Sequence, residues 1–276
     1  MRTPPERLIA VDWSGSNDVS RQRKTIYLAD WRESTGILTL DCERTRREVI
    51  DWVLQAASES PSLVVGFDFA FSFPADFVAR LGCADADELW EKVGELEQHW
   101  RAAWPEDFWV VGGRNEPKFF RDGSRQAFRK TDRECSSKSI FRLGAGGVGW
   151  GSVAGQPSLL TLRRHGFSIW PFHEPKYPLA IEIYPAAYWR HLKRKEPSQR
   201  RESLASLELP RIVDNEVRQK AVASRDAFDA LLSVAAMHAH QEELANLEQA
   251  NDDLGRIEGR IWRPKEGSQS TLEDFL

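Results

Sequence analysis

Apolar residues fill both faces of Leu8-Ile-Ala-Val-Asp-Trp13, the mark of a central strand covered on two sides. Ser14-Gly-Ser-Asn17 reads as a turn, Lys24–Trp31 as a second strand, Glu33-Ser-Thr-Gly36 as a turn and Ile37–Leu40 as a third strand, so the chain opens as an antiparallel meander. Arg46–Ala57 carries apolar residues at helical spacing (Val49, Ile50, Val53, Leu54, Ala57). Ser62–Phe69 then returns as a strand, which predicts a parallel crossover beside the first. Further on, Asp85–Ala103 and Ser158–His165 read as helices, and Tyr177–Tyr184 as an apolar strand stopped by Pro185. Ala186–Lys195, Ser198–Leu207, Asp214–Ala223 and Ser224 to Gln249 read as helices, and Ile257–Trp262 as a last short strand.

Strand, strand, strand, helix, strand is the opening order of the RNase H-like fold. The expected fold class is therefore α/β, with a mixed sheet of three antiparallel strands followed by parallel ones, flanked by helices. Residues 1–264 are expected to form one domain with a large central insertion at 76–175, and residues 265–276 a mobile polar tail. Inside the insertion, Gly144-Ala-Gly-Gly-Val-Gly-Trp-Gly-Ser152 reads as a flexible glycine-rich loop.

Composition narrows the class. With 276 residues, 41% apolar and 29% charged, the chain can bury a sizeable core, and many of its 11 Trp fall in segments that should pack. No run reaches the roughly 18 to 20 apolar residues of a membrane span, and the first residues lack the apolar core of a signal peptide. Cys42, Cys83 and Cys135 are odd in number, far apart and without C-x-x-C spacing, which argues against a disulfide framework or structural zinc and fits a reducing cytoplasm. A net charge of −4 excludes a uniformly basic nucleic-acid binder. Two segments are locally basic: Arg114–Arg142, with nine bases against four acids, and Arg190–Arg201, with six bases against Glu196 alone. Each reads either as a solvated surface or as a basic wall beside a site.

Candidate chemistry lies in acids at apolar positions. Asp12 sits inside the most apolar strand, where a carboxylate is costly to desolvate without a cation or hydrogen-bond donors. In Gly66-Phe-Asp-Phe-Ala-Phe-Ser-Phe73 the aromatics alternate, which leaves Asp68 on a small-residue face with Gly66 and Ala70. Asp226 and Asp229 are three apart at the start of an apolar helix. Asp226 is accounted for by the helix dipole, and Asp229, leaning toward Phe228, Leu231 and Leu232, less so. Glu182 is another acid within an apolar strand, to be paired with an Arg or placed at a site. Carboxylates in this set suit Mg²⁺ or Mn²⁺, hard ions that keep several waters. The six His are scattered, and neither a P-loop nor a dinucleotide-binding glycine motif is present.

Val11-Asp-Trp-Ser-Gly15, Gly66-Phe-Asp68, Glu182-Ile-Tyr-Pro185 and Asp226-Ala-Phe-Asp-Ala-Leu231 together resemble the domain-of-unknown-function family 429, described as predicted nucleases of RNase H fold; the likeness runs over residues 7–263. The last of these segments is also similar to the final acidic helix of the RuvC-type Holliday-junction resolvases. That resemblance implies metal ligation by Asp12, Asp68, Asp226 and Asp229, with Asp68 standing where those enzymes usually carry Glu. The leading expectation is a metal-dependent nuclease acting on DNA or RNA. Asp12, Asp68, Glu182, Asp226 and Asp229 would be catalytic, and Arg125, Arg129, Lys130, Arg133 and Lys138 would take the phosphate backbone. The alternatives are a phosphotransferase or ATPase of the actin-like superfamily and a non-catalytic nucleic-acid-binding domain.

Overall fold

A computed structural model describes residues 2–110, 113–144, 146–189, 191–207 and 214–264; the tail expected to be mobile lies outside these. The chain opens with β1 (Arg7–Asp12), α1 (Val19–Thr25), β2 (Tyr27–Arg32), β3 (Ile37–Asp41), α2 (Arg46–Glu59) and β4 (Leu63–Phe67). The expected meander is present with one addition. Asp18 accepts a hydrogen bond from the Arg21 N–H and caps α1, so the stretch before the second strand is helical and β2 starts later than the apolar pattern suggests. Thr45 and Glu48 form a reciprocal capping box that starts α2 where its apolar spacing predicts.

Next come α3 (Ala75–Arg80), α4 (Ala86–Ala102), β5 (Trp109–Val110), α5 (Lys118–Arg121), α6 (Lys130–Glu134), β6 (Arg142–Leu143) and α7 (Gly149–Arg164). The glycine-rich stretch is not wholly a loop. From Gly149 it is the first turn of α7, which runs through Pro157. A side chain at Gly149 would meet the Ile140 carbonyl oxygen at 2.6 Å, so this glycine serves close packing.

The chain closes with β7 (Ser168–Ile169), β8 (Leu179–Glu182), α8 (Pro185–Tyr188), α9 (Pro197–Ala205), α10 (Asn215–Ala223), α11 (Arg225–Ala239), α12 (Gln241–Ala245) and α13 (Asp253–Glu258). Three expectations change here. The helix expected over Ala186–Lys195 is only the single turn of α8, with Trp189 as its C-cap. The long last helix stops at Ala239, and α12 turns to bury Leu244 and Ala245. The expected strand at 257–262 begins as the end of α13, capped by Asp252, and only Ile261 forms a parallel bridge, to Glu182.

The main sheet is mixed, in the order β3-β2-β1-β4-β8-β7. β1–β2 and β2–β3 pair antiparallel, whereas β1–β4, β4–β8 and β8–β7 pair parallel. Helices cover both faces. On one, α11 packs with Leu8, Ala10, Val64, Ile181 and Ile183; on the other, α2, α4 and α7 meet Ile9, Val11, Val65 and Phe67. Helices α4 and α7 come from the central insertion, so that segment supplies part of the main layer. Its remainder supplies most of a separate aromatic cluster, with Phe77, Phe108 and Phe141 packed around Phe73, beside the short parallel pair β5–β6.

Candidate functional site

Strand alternation and register bring two acids together. Val11 pairs with Phe67 across the parallel strands, and the Asp68 N–H donates to the Val11 carbonyl at 3.0 Å, so Asp12 and Asp68 lie side by side where β1 and β4 end. Leu8, Ala10 and Asp12 share one face, as do Val64, Gly66 and Asp68, and it is the face under α11. Gly66 allows that close cover: a side chain there would meet Ile183 at 2.6 Å and the Met237 sulfur at 3.2 Å. Ser224 caps α11, and Tyr27, the partner of Asp12 across β2, reaches Ser224. Asp226 and Asp229 in the first turns of α11 therefore come to the same edge of the sheet.

The four acids act on one another. Burial, then Asp68, Asp226 and Asp229, hold the Asp12 carboxyl well above the usual range. Asp68 is pushed up to about 8, by burial first and then by Asp229, against the pull of Arg194. Burial also raises Asp226, opposed by Arg225, Arg200 and Arg21, and raises Asp229, opposed by Arg194 and Arg225. Compensation is uneven. Asp229 is buried and ion-paired to Arg194 at 2.9 Å and to Arg225 at 3.6 Å. Asp12, Asp68 and Asp226 keep partial solvent access, and among the described residues no hydrogen bond or ion pair reaches their carboxylates. Such oxygens are the hard donors that Mg²⁺ or Mn²⁺ takes. The carboxylates are near enough to feel each other's charge, yet among the described residues no three His, Cys, Asp or Glu side chains form a metal-ligating set.

Glu182 does not join them. It pairs with Phe67, so alternation turns it to the opposite face of the sheet. There Arg129 donates to both of its oxygens, at 2.8 and 2.6 Å, and the Phe71 N–H adds a bond at 2.9 Å. Its expected place among the catalytic acids is corrected: it is a buried ion-pair partner.

The basic row is corrected as well. Arg129 is 1% exposed and locked between Glu182 and Asp132, so it is closed to a phosphate backbone. Arg125 pairs with Glu106 and Asp107 and lies over the Phe119 ring. Lys130 and Arg133 are exposed on α6, where Lys130 lines a cavity of about 700 Å³ with Glu134, Asp252 and Arg263 rather than the acidic edge. Lys138 alone of the five is tied to that edge. Burial, Arg142, Arg225 and Arg194 lower the pKa of its ammonium, and Asp68 opposes them. Sequence reasoning missed Arg225, although its spacing of four from Asp229 is that of a helical ion pair. Arg194 lay in the second basic run with no signal to separate it from its neighbours. Arg200, from the same run, is buried.

No family model, curated protein or solved structure matches the chain.

Proposed function

We propose that the chain is an RNase H-like, metal-dependent phosphodiesterase acting on nucleic acid. The observation that carries this reading is the gathering of Asp12, Asp68 and Asp226 at one sheet edge with no direct partner for their charge among the described residues. The strand order β3-β2-β1-β4-β8 agrees with the RNase H-like expectation, and the resemblance to family 429 and to the last resolvase helix points the same way. Asp12, Asp68 and Asp226 would hold Mg²⁺ or Mn²⁺, with Asp229 joining when released from Arg194. The ion supplies Lewis-acid activation of water and charge stabilisation at the phosphate. A phosphodiester strand at this edge would meet Lys138, Arg194 and Arg225, which would offset its charge.

The test is thermal unfolding with Mn²⁺, joined to cleavage of single- and double-stranded DNA and RNA. Mn²⁺ should raise the melting temperature of the wild type, by an amount equal to about 2.7 kcal/mol at a hundred times Kd. Asp12→Asn should abolish both the rise and cleavage. An equal metal response in the two proteins places the ion elsewhere; absence of nucleic-acid binding at low salt with Mg²⁺ removes the nuclease reading.

One observation favours phosphoryl transfer instead. Gly15, three residues after Asp12, lies against the first turn of α7, where a side chain on it would meet the Gly151 nitrogen at 2.4 Å, and α7 has no side-chain cap. That reading predicts stabilisation by ATP with Mg²⁺ and no response to nucleic acid.

A further inference from the structure

Among the described residues Asp229 is the one acid of the four that cations already hold, Arg194 closely and Arg225 at 3.6 Å. The Arg194 Nη1 lies 2.9 Å from its Oδ1, with both side chains largely buried. Arg194 belongs to the segment between α8 and α9, and its backbone is anchored. Arg200, 4% exposed, donates to the carbonyls of Arg194 at 3.0 Å, Lys195 at 2.8 Å, Val222 at 2.8 Å and Ala223 at 3.2 Å. The Ser203 hydroxyl donates to the Lys193 carbonyl at 2.7 Å. These bonds tie the segment to the junction of α10 and α11, next to the cap that starts the Asp226–Asp229 turn. The Arg194 guanidinium, by contrast, is tethered among the described residues by the Asp229 pair alone. A fixed backbone with one charged tether lets the side chain change partner without refolding its loop.

We infer that Arg194 is a displaceable cation: it occupies Asp229 in the metal-free protein and, once a divalent ion takes that carboxylate, binds the phosphodiester beside it. This rests on the metal-dependent reading above and names the residue that meets the substrate. A guanidinium and a divalent ion on the same carboxylate repel each other, so ion binding weakens the pair. A phosphate entering at that moment supplies the anion that the guanidinium lost, and the planar N–H fork suits two phosphate oxygens. Lys138 and Arg225 act in the same field, so the strand meets a group of cations there.

Calorimetric titration with Mn²⁺ alone, and oligonucleotide binding in Ca²⁺, test the exchange in wild type, Arg194→Gln and Arg194→Lys. Arg194→Gln should bind Mn²⁺ about fivefold more tightly, since a competing charge is gone, and the oligonucleotide about tenfold more weakly. Arg194→Lys keeps the charge but not the fork, so its Mn²⁺ affinity should stay near wild type while oligonucleotide binding falls. A merely structural arginine would not tighten Mn²⁺ when removed. Unchanged or weaker Mn²⁺ binding by Arg194→Gln overturns the inference while the metal reading stands, as does unchanged oligonucleotide binding. If Arg194→Gln does not fold, Arg194→Lys decides through its oligonucleotide affinity, and no change there overturns the inference. Failure of the wild type to bind Mn²⁺ ends the metal reading itself, and the inference with it.

Discussion

On the α11 face of the sheet, Asp12, Asp68 and Asp226 stand without a direct partner among the described residues, where only Asp229 meets arginines. On the opposite face, one strand away, Glu182 and Asp132 close around Arg129 with every oxygen engaged. Both groups are acids in apolar surroundings, and burial raises the carboxyl of Glu182 as it raises that of Asp68. The difference lies in what offsets the charge. Arg129 remains firmly charged, because Asp132 and Glu182 outweigh the cost of its burial, and its group ties α6 to β8 and to the Glu258 carbonyl. The Asp12 edge has no such direct pairing among the described residues, and its carboxyls are held protonated to higher pH. Direct pairing separates the two groups: every oxygen of Glu182 and Asp132 is bonded, whereas those of Asp12, Asp68 and Asp226 have no partner among the described residues.

The largest effect should come from breaking the complete group. Arg129→Met leaves two carboxylates buried without their cation and should cost about 3–5 kcal/mol in urea unfolding. A loss below about 1 kcal/mol would mean that Glu182 and Asp132 discharge easily, and the contrast between the two faces would fail.

The pH dependence sharpens the other side. Asp68 titrates at about 8 in the folded protein, against an ordinary Asp value of about 3.9 in the unfolded chain. The folded state holds a proton that the unfolded state has released. The associated stability is therefore fully present below about pH 4 and is lost as pH rises through about 8. Without metal, the difference between wild type and Asp68→Asn should decline by at most about 1.4 kcal/mol per pH unit across that window, less what residual solvent access screens. Parallel profiles for the two proteins would show that Asp68 is ionised throughout.

The smallest effect separates two lysines. Lys138→Ala should reduce the slope of log affinity for nucleic acid against log salt by about 0.7–0.9, one phosphate contact, whereas Lys130→Ala should leave it unchanged. Equal changes would place the nucleic acid over α6 instead of the acidic edge.

Much of this was readable along the chain. Asp12 and Asp68 were marked by their apolar strands, and the crossover after α2 put them on adjacent parallel strands, because a strand returning after a helix has few places to pair. Local chemistry also set the caps of α2 and α11. What sequence reading lacked was the far partner of each charge. Glu182 resembled Asp68 in every local respect, and an extra reckoning of alternation against the β4 register would have turned it away. Arg129 looked like any member of a basic row, yet a contact 53 residues distant took it into the core. Periodicity and capping act within a few residues and are therefore written in the sequence. The pairing of buried charges depends on which segments the fold brings face to face, and that only the tertiary structure decided.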